Sequence, residues 1–259
     1  MTPKVLFFDI DGTIVGFRTH RMSDALTDCL NELRAAGVKL FISSGRHILV
    51  MNNIEGFPFD GYIAMNGAMT VLGGEVIDSH PLPRETALQI ARFAGTLGVP
   101  CLVFADNLYG INFQNSKSEE ISRQVNMVPM PRLDLEAVAS ERDVYQYTLY
   151  VTPEEEMRYL RPVLKGVDYP RWHPYFADIV PEGLSKSYGA SLILERIGAR
   201  PEECMAFGDG GNDIPLLEYA GTGVAMGNAP DDVKAAADYV TDTVDDDGVI
   251  TALRHFGVI

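Results

Sequence analysis

One stretch near the start of the chain limits what the chain can fold into. The apolar run Val5 to Phe8 predicts a short buried strand, and the sequence Asp-Ile-Asp-Gly-Thr follows it directly at residues 9–13. Side chains alternate faces along a strand, so Asp9 and Asp11 are expected to point the same way. Two carboxylates that lie close together need a cation or a shared proton. The stretch therefore predicts a strand end that holds a hard cation and presents a carboxylate nucleophile.

Of two simpler interpretations of this stretch, one stays open and the other is excluded. An Asp-Gly pair after a strand is often only a turn, and this alternative stays open on these residues alone. An EF-hand calcium loop is excluded, because with Gly12 at the loop's glycine position Phe7 would be its first ligand and Arg18 its last. Neither of these side chains can bind calcium.

Strand and helix patterns alternate over the first 80 residues. The predicted elements are strands at 5–8, 39–43 and 61–64, helices at 23–37 and 46–54, and a hairpin at 69–78. This alternation is typical of a parallel sheet that helices cover on both faces. Ligands of such sheets bind beyond the carboxyl ends of the strands, where the pattern places Asp9, Ser44 and Asn66.

The pattern of predicted helices and strands changes near Pro81, and the first pattern returns near Gly183. The segment between them mixes amphipathic helices with alternating strands, whereas the segment after it returns to buried strands and short helices. We therefore predict an α/β fold in which residues 1–80 and 183–259 form a doubly wound, Rossmann-like parallel-sheet core. Residues 81–182 are predicted to form an inserted α+β domain.

A second acidic cluster follows the strand predicted at 204–207. Its sequence is Gly-Asp-Gly-Gly-Asn-Asp at residues 208–213. If both acidic strand ends belong to one parallel sheet, Asp9, Asp11, Asp209 and Asp213 meet at one edge, and Mg²⁺ would balance their charge. The glycines do not form a dinucleotide motif, since Asp213 stands where the last glycine belongs, and no Gly-Lys-Ser/Thr of a Walker loop follows.

Two further features suit a phosphate group. Ser44, Gly45 and Arg46 supply a hydroxyl and backbone amides at a predicted helix start, although a plain helix cap is the alternative. Lys186 lies near the start of the helix predicted at 185–197, where a surface lysine is the alternative. Together with a metal and a carboxylate nucleophile, these groups are the parts that phosphoryl transfer requires.

The four motifs, in this order, resemble the haloacid-dehalogenase superfamily of phosphatases. The family's motifs correspond to residues 9–13, to Ser44, to Lys186 and to residues 208–213. The long insertion, Asn-Gly-Ala at 66–68 and Asp-Gly-Val at 247–249 resemble the Cof-type branch with its large α/β (C2B-like) cap. The resemblance covers nearly the whole chain. Ser44 stands where this branch often has threonine, which keeps the hydroxyl.

This resemblance implies a Mg²⁺-dependent phosphatase that works through an aspartyl-phosphate. Asp9 would attack phosphorus, and Asp11 would protonate the leaving oxygen and then activate water. Asp9, Asp209 and the main-chain carbonyl of Asp11 would bind the metal, with Asp213 as a further ligand or as a partner of one.

The resemblance also implies how the substrate is held. Ser44, Gly45 and Lys186 would bind the phosphoryl group, and Asn212 would position that group or Lys186. Asn66 and Arg46 are candidate substrate-binding residues. The inserted domain would act as a cap that closes on linkers near residues 80 and 183 and excludes water.

The implied substrate is a small phosphorylated metabolite. A sugar phosphate is the first candidate, followed by nucleotides and by phosphorylated cofactors such as pyridoxal phosphate or flavin mononucleotide. A phosphotransferase or mutase on the same core and a non-catalytic phosphometabolite-binding protein are the alternatives.

Composition sets limits on partners and compartment. The chain has 259 residues and a net charge of −15, which disfavours nucleic acid and anionic membranes as partners. The three cysteines, Cys29, Cys101 and Cys204, show no metal-ligand or disulfide spacing. With no signal peptide and no apolar run of about 20 residues, we expect a cytoplasmic protein that is a monomer or a weak homo-oligomer.

Overall fold

The computed structural model describes residues 3–124, 126 and 130–259, and the chain divides into two compact units. One unit combines Met1–Asp78 with Ser185–Ile259, and the other is Ser79–Leu184. The second unit's role as a substrate cap stays a prediction.

The secondary structure of the described residues is as follows. The strands are β1 (Val5–Phe8), β2 (Lys39–Ser43), β3 (Gly61–Ala64), β4 (Met69–Leu72), β5 (Glu75–Ser79), β6 (Cys101–Ala105), β7 (Tyr109–Ile111), β8 (Val144–Leu149), β9 (Val167–Asp168), β10 (Ala177–Pro181), β11 (Cys204–Gly208), β12 (Thr222–Ala225) and β13 (Tyr239–Val240). The helices are α1 (Asp24–Ala35), α2 (Arg84–Leu97), α3 (Ser116–Gln124), α4 (Leu135–Glu141), α5 (Pro153–Glu155, continued by a π-helical turn over Glu156–Leu160), α6 (Lys186–Ile197), α7 (Ile214–Tyr219), α8 (Asp231–Ala236) and α9 (Gly248–His255).

The larger unit is built on one sheet with the strand order β13-β12-β11-β1-β2-β3-β4-β5. From β13 to β3 all neighbouring strands pair in parallel, and β4 pairs with β3 antiparallel. The order runs outward in both directions from the central strand β1, so the connections change direction between β1 and β11. Such a reversal opens a crevice at the carboxyl ends of the two strands. The predicted doubly wound, Rossmann-like core is therefore confirmed.

Alternation along β1 explains why helices pack on both faces of this sheet. Val5 and Phe7 belong to one apolar cluster with buried residues of α6, α7 and α8. Leu6 and Phe8 point to the opposite face and are fully buried as well. On that side of the core, α1 contacts β2 and α9. A strand that is buried on both faces must be apolar throughout, as this one is.

The first helix forms as its sequence predicts. Ser23 is its N-cap, and the Ser23 Oγ accepts a hydrogen bond from the Leu26 amide at 3.0 Å. The residues at helical spacing, Leu26, Cys29, Leu30 and Leu33, are the ones that α1 buries. The capping residue and the apolar stripe together fix where the helix begins and which face it turns inward.

The helix predicted at 46–54 is wrong. The chain instead forms two short 3₁₀ turns over Ile48–Val50 and Asn52–Ile54. Arg46 Nη1 donates to the Val50 carbonyl at 2.7 Å, which occupies an acceptor that a longer helix would use. The segment also carries β-branched and asparagine residues, which are weak helix formers.

The smaller unit contains a five-stranded sheet with the order β7-β6-β8-β10-β9. Its described strand pairs are antiparallel. Buried side chains of α2 and α4 share one apolar cluster with Val103, Tyr147 and Ile179 of the sheet, and the Tyr147 hydroxyl donates to the Ala87 carbonyl of α2 at 3.1 Å. This mixture of helices and an antiparallel sheet agrees with the α+β prediction. Among the described residues, no helix is both long enough and apolar enough to cross a membrane.

Candidate active site

A buried lysine joins the two acidic motifs. Lys186 is the first residue of α6, and its Nζ donates to Asp9 Oδ1 at 2.6 Å and to Asp213 Oδ1. The lysine is fully buried. A buried ammonium is tolerated only beside opposite charges, so the surface-lysine alternative is excluded. The two ends of the chain therefore meet at one charge cluster.

The turn that contains Asp213 folds around that carboxylate. Asp213 Oδ2 accepts hydrogen bonds from the amides of Asp209 at 3.1 Å and Gly210 at 2.9 Å. A Cβ atom at Gly208 would lie 2.4 Å from the Asp213 Cγ. The glycine is therefore required for close approach, and both oxygens of Asp213 are engaged by Lys186 and by the turn.

Three carboxylates converge at the carboxyl ends of β1 and β11. Oxygen atoms of Asp9, Asp209 and Asp213 lie within 4.8 Å of one another. Gly12 has a φ of +83°, and a Cβ atom there would lie 2.1 Å from Asp209 Oδ2, so glycine allows the two loops to touch. Since one ammonium faces three carboxylates, the ionised cluster carries two excess negative charges. An all-oxygen site with this charge fits a hard divalent cation.

The cluster perturbs the acidity of its members. Burial raises the pKa of Asp9 to about 7; Asp213 and Asp11 add to this rise, and Lys186 opposes it. Burial, and then the charges of Asp9 and Asp213, raise the pKa of Asp209 well above its ordinary value. Burial disfavours the Lys186 ammonium, but Asp213 and Asp9 outweigh it and raise the pKa of Lys186. Lys186 is therefore charged at neutral pH, and Asp9 is partly protonated there.

The fourth carboxylate, Asp11, lies outside this cluster. Its Oδ2 and Oδ1 accept hydrogen bonds from Arg46 Nε at 2.6 Å and Nη2 at 2.7 Å, and both side chains are buried. Asp11 is therefore not among the carboxylates that lie within 4.8 Å of one another, although its charge still raises the pKa of Asp9 and of Asp209. Strand alternation does not apply to Asp11, because β1 ends at Phe8 and the chain turns at Gly12. Arg46 thus contacts Asp11, and its substrate-binding role stays a prediction.

Ser44 and Gly45 lie in the loop that follows β2. Phe8 pairs with Ile42, so this loop and Asp9 leave the sheet at the same edge. Ser44 is buried, its amide donates to the Ile63 carbonyl at 2.8 Å, and its Oγ accepts from the Arg46 amide at 3.1 Å. Because no α-helix follows, the expected helix N-terminus at this position is absent, and phosphate binding by Ser44 and Gly45 stays a prediction.

Asn66 and Asn212 form a buried pair between the loops after β3 and β11. Asn212 Nδ2 donates to Asn66 Oδ1 at 2.8 Å. Asn66 has a φ of 55°, a left-handed conformation that asparagine tolerates. A Cβ atom at the next residue, Gly67, would lie 2.2 Å from the Ser185 carbonyl oxygen. The Asn-Gly turn therefore packs on the start of α6, directly beside Lys186.

Asn228, in the loop after β12, is a site residue that the sequence interpretation missed. Its Nδ2 donates to the Gly12 carbonyl at 2.9 Å and to Asp209 Oδ2 at 3.0 Å. A sequence signal could have indicated Asn228. The motif Gly-Asn-Ala-Pro at 227–230 follows the apolar run at 224–226, just as the two acidic motifs follow apolar runs.

A comparison with protein families decides which family this arrangement represents. The model of the haloacid dehalogenase-like hydrolases matches residues 6–253. The chain belongs to this family. The residues that carry the charge cluster therefore lie within the matched region, from Asp9 to Asp213.

Other haloacid dehalogenase-like proteins resemble the chain over nearly its whole length. The solved HAD subclass IIB sugar phosphatase BT4131 is 41% identical, with a TM-score of 0.93, covering 99% of this chain and 100% of that one. The Bacillus subtilis (strain 168) protein YkrA is 32% identical over 260 residues, covering 100% of both chains. The pyridoxal phosphate phosphatase YbhA of Escherichia coli (strain K12) is 28% identical over 261 residues, covering 93% of both. These relatives confirm a phosphatase-type enzyme of the Cof-type branch.

Asp209→Asn is expected to raise the melting temperature of the metal-free protein by a few degrees at pH 8. A carboxyl group whose pKa is raised on folding costs stability at pH values above the folded pKa, and the cost vanishes below its ordinary value of 3.8. Asparagine removes this cost and keeps an oxygen for Asn228. Thermal melts in EDTA at pH 8 and pH 4 check this, since the gain should shrink at the lower pH. An equal or lower melting temperature at pH 8 would contradict the charge argument.

Proposed function

We propose that this enzyme hydrolyses a small phosphate monoester through an aspartyl-phosphate on Asp9, with Mg²⁺ bound at the carboxylate cluster. The observation that carries the proposal is the buried Lys186, which binds Asp9 and Asp213 inside a cluster of three carboxylates. A cluster of this kind is costly for folding alone. It suits a reaction that concentrates negative charge on a transferring phosphoryl group.

The side chains of Asp9 and Asp209, with the main-chain carbonyl of Asp11, would hold the Mg²⁺ ion. Bound there, it would supply positive charge for the phosphate oxygens and keep Asp9 ionised. Asp213 would act as a partner of the site, because Lys186 takes one of its oxygens and the Asp209 and Gly210 amides take the other. A carboxylate engaged in this way orients its neighbours.

The covalent step would begin with attack of an Asp9 carboxylate oxygen on phosphorus. The bond between phosphorus and the ester oxygen breaks, and Asp11 gives its proton to that leaving oxygen. In the second step Asp11 takes a proton from water, the water oxygen attacks phosphorus, and the bond to Asp9 breaks. Inorganic phosphate leaves, and both aspartates return to their starting states.

The ion pair between Asp11 and Arg46 bears on this cycle. Arg46 donates charge-assisted hydrogen bonds to both oxygens of Asp11, so neither oxygen is free in this arrangement. To donate a proton in the first step, Asp11 must give up at least one of these contacts. Arg46 would therefore act through Asp11, in addition to any contact with substrate.

A sugar phosphate is the first candidate substrate. The support is the similarity to BT4131, a sugar phosphatase, over the whole chain. Phosphorylated cofactors come next, because the more distant relative YbhA is a pyridoxal phosphate phosphatase. Fold and motif similarity do not choose between them, since specificity depends on residues that bind the leaving group.

Phosphate release from a panel of esters tests this function. The panel should contain sugar phosphates, nucleotides, pyridoxal phosphate and flavin mononucleotide, each assayed with Mg²⁺ and with a chelator. We expect release that requires Mg²⁺ and is fastest for a sugar phosphate. Release that persists in the chelator would contradict the metal assignment. Stoichiometric binding of an ester without any release would favour a non-catalytic phosphometabolite-binding protein.

A further inference from the structure

The Asn228 side chain connects three loops at the edge of the sheet where the carboxylates meet. It donates to the Gly12 carbonyl and to Asp209 Oδ2, and its Oδ1 accepts from the Val244 amide at 2.9 Å. Asn228 lies outside the four motifs and is itself exposed. Most exposed side chains rotate freely, but three hydrogen bonds to separate loops hold the Asn228 side chain in one orientation.

Among side chains of this length, only asparagine can make all three hydrogen bonds. Its amide nitrogen carries two hydrogens and its oxygen accepts, which matches two acceptors, Gly12 O and Asp209 Oδ2, and one donor, the Val244 amide. Aspartate would place an oxygen against two other oxygens, and a serine or alanine side chain is too short to reach both. The residue type is therefore set by hydrogen bonding to the loops of Asp9 and Asp209.

Asn228 holds one oxygen of the Asp209 carboxylate. Within the described part of the chain, it is the one side chain that donates to the Asp209 carboxylate. Asn228 donates to Oδ2, and none of the described residues donates a hydrogen bond to the other oxygen, Oδ1. A carboxylate fixed through one oxygen presents its second oxygen in a defined direction, as a cation ligand must be presented.

The two peptides on either side of Gly12 are held by different partners. The Gly12 amide donates to the Val15 carbonyl at 2.9 Å, while the Gly12 carbonyl accepts from Asn228 at 2.9 Å. Since a peptide unit is planar, an anchored Gly12 amide sets the direction of the Asp11 carbonyl in the same plane. The Val15 carbonyl therefore orients the Asp11 carbonyl, whereas Asn228 holds the next peptide, from Gly12 to Thr13, and the Asp209 carboxylate.

We propose that Asn228 is a positioning residue for the divalent cation, which it serves by orienting the Asp209 carboxylate without touching the cation. This inference rests on the proposed function only in that Mg²⁺ binds at the carboxylate cluster. Loss of a partner that orients a metal ligand costs about 10–100-fold in metal affinity. Asn228→Ala is therefore expected to weaken Mg²⁺ binding by at least about tenfold.

The test measures Mg²⁺ binding directly, by titration calorimetry and by the rise in melting temperature that Mg²⁺ causes. The variants are Asn228→Ala and the matched control Asn31→Ala, an exposed asparagine on α1. We expect Asn228→Ala to raise the Kd for Mg²⁺ at least about tenfold and to need more Mg²⁺ for half-maximal hydrolysis of a generic ester, p-nitrophenyl phosphate. The rate at saturating Mg²⁺ should change much less, and Asn31→Ala should match the parent protein.

A purely structural role would give a different pattern. It would lower the melting temperature in EDTA while leaving the Kd for Mg²⁺ within about twofold of the parent value, and this result would overturn the inference. Asn228→Ser, which keeps a polar side chain on the exposed loop but cannot span both acceptors, is expected to show the same loss and replaces the alanine variant if that variant does not fold.

The Asp209→Asn variant distinguishes a failure of the proposed metal site from a failure of the positioning role of Asn228. If this variant loses Mg²⁺ binding while the Asn228 variants bind normally, the metal site stands and the positioning role of Asn228 fails. If Asp209→Asn binds Mg²⁺ as the parent protein does, the proposed metal site itself fails. Loss of binding in both sets of variants supports both proposals.

Discussion

An Asp9→Asn variant is expected to release phosphate at least about 10⁴-fold more slowly than the parent protein, because loss of a covalent nucleophile removes the main route of reaction. The fold should survive the change. Asparagine has the shape of aspartate and keeps an oxygen for the Lys186 ammonium, which lies 2.6 Å from Asp9 Oδ1. Burial raises the pKa of Asp9 to about 7, so above that pH the carboxylate costs stability that asparagine does not. The variant should therefore melt at or above the parent temperature in EDTA at pH 8.

Two measurements check this prediction together. Steady-state phosphate release with the best ester of the panel gives the loss in rate, and thermal melts show whether the fold is intact. As a matched variant, Asp11→Asn keeps the nucleophile and removes the group that protonates the leaving oxygen and activates water, so it should accumulate phosphorylated protein after mixing with p-nitrophenyl phosphate, whose leaving group needs no proton. Hydroxylamine should release that phosphate, as expected of an acyl phosphate. Turnover by Asp9→Asn at the parent rate would refute the nucleophile assignment.

Much of the candidate site follows from rules that act along short stretches of sequence. Apolar runs predicted β1 and β11, and the acidic motifs follow each run directly, so a parallel sheet brings Asp9, Asp209 and Asp213 to one edge. Ser185 caps α6, which places Lys186 in its first turn. These groups converge because strand ends and helix starts are fixed by local patterns.

The contacts that sequence patterns missed are specific side-chain pairs between distant loops. Arg46 meets Asp11 across 35 positions, and Asn228 meets Gly12 across 216. No periodicity links such residues, since their pairing depends on how each loop leaves the sheet. The helix expected after Ser44 failed for the same reason, because Arg46 binds Asp11 and the Val50 carbonyl instead of solvent.

Removal of the buried ammonium in Lys186→Met is expected to have the largest effect on stability. Methionine fills similar space but leaves Asp9, Asp209 and Asp213 without a neutralising charge. Breaking a buried ion pair by removing one partner costs about 3–5 kcal/mol, which lowers the melting temperature of a chain of this size by about 10 °C. Phosphate release should also fall to background. Thermal melts in EDTA at pH 8, with Lys165→Met at an exposed site as the matched control, measure the loss.

The pH dependence of that loss identifies its electrostatic origin. The pKa of Lys186 is raised above its ordinary value of 10.5, so the stability it contributes is fully present below that pH and disappears only as the pH rises through the folded pKa. At neutral pH, removing the Lys186 ammonium therefore causes the full loss of stability as long as the neighbouring carboxylates are ionised. As the pH falls from 8 to 5, Asp9, whose pKa is raised to about 7, binds a proton, and the deficit of Lys186→Met should shrink. Added Mg²⁺ at pH 8 should restore part of the melting temperature without restoring turnover. A deficit that is constant with pH and unchanged by Mg²⁺ would mean that Lys186 contributes by packing alone.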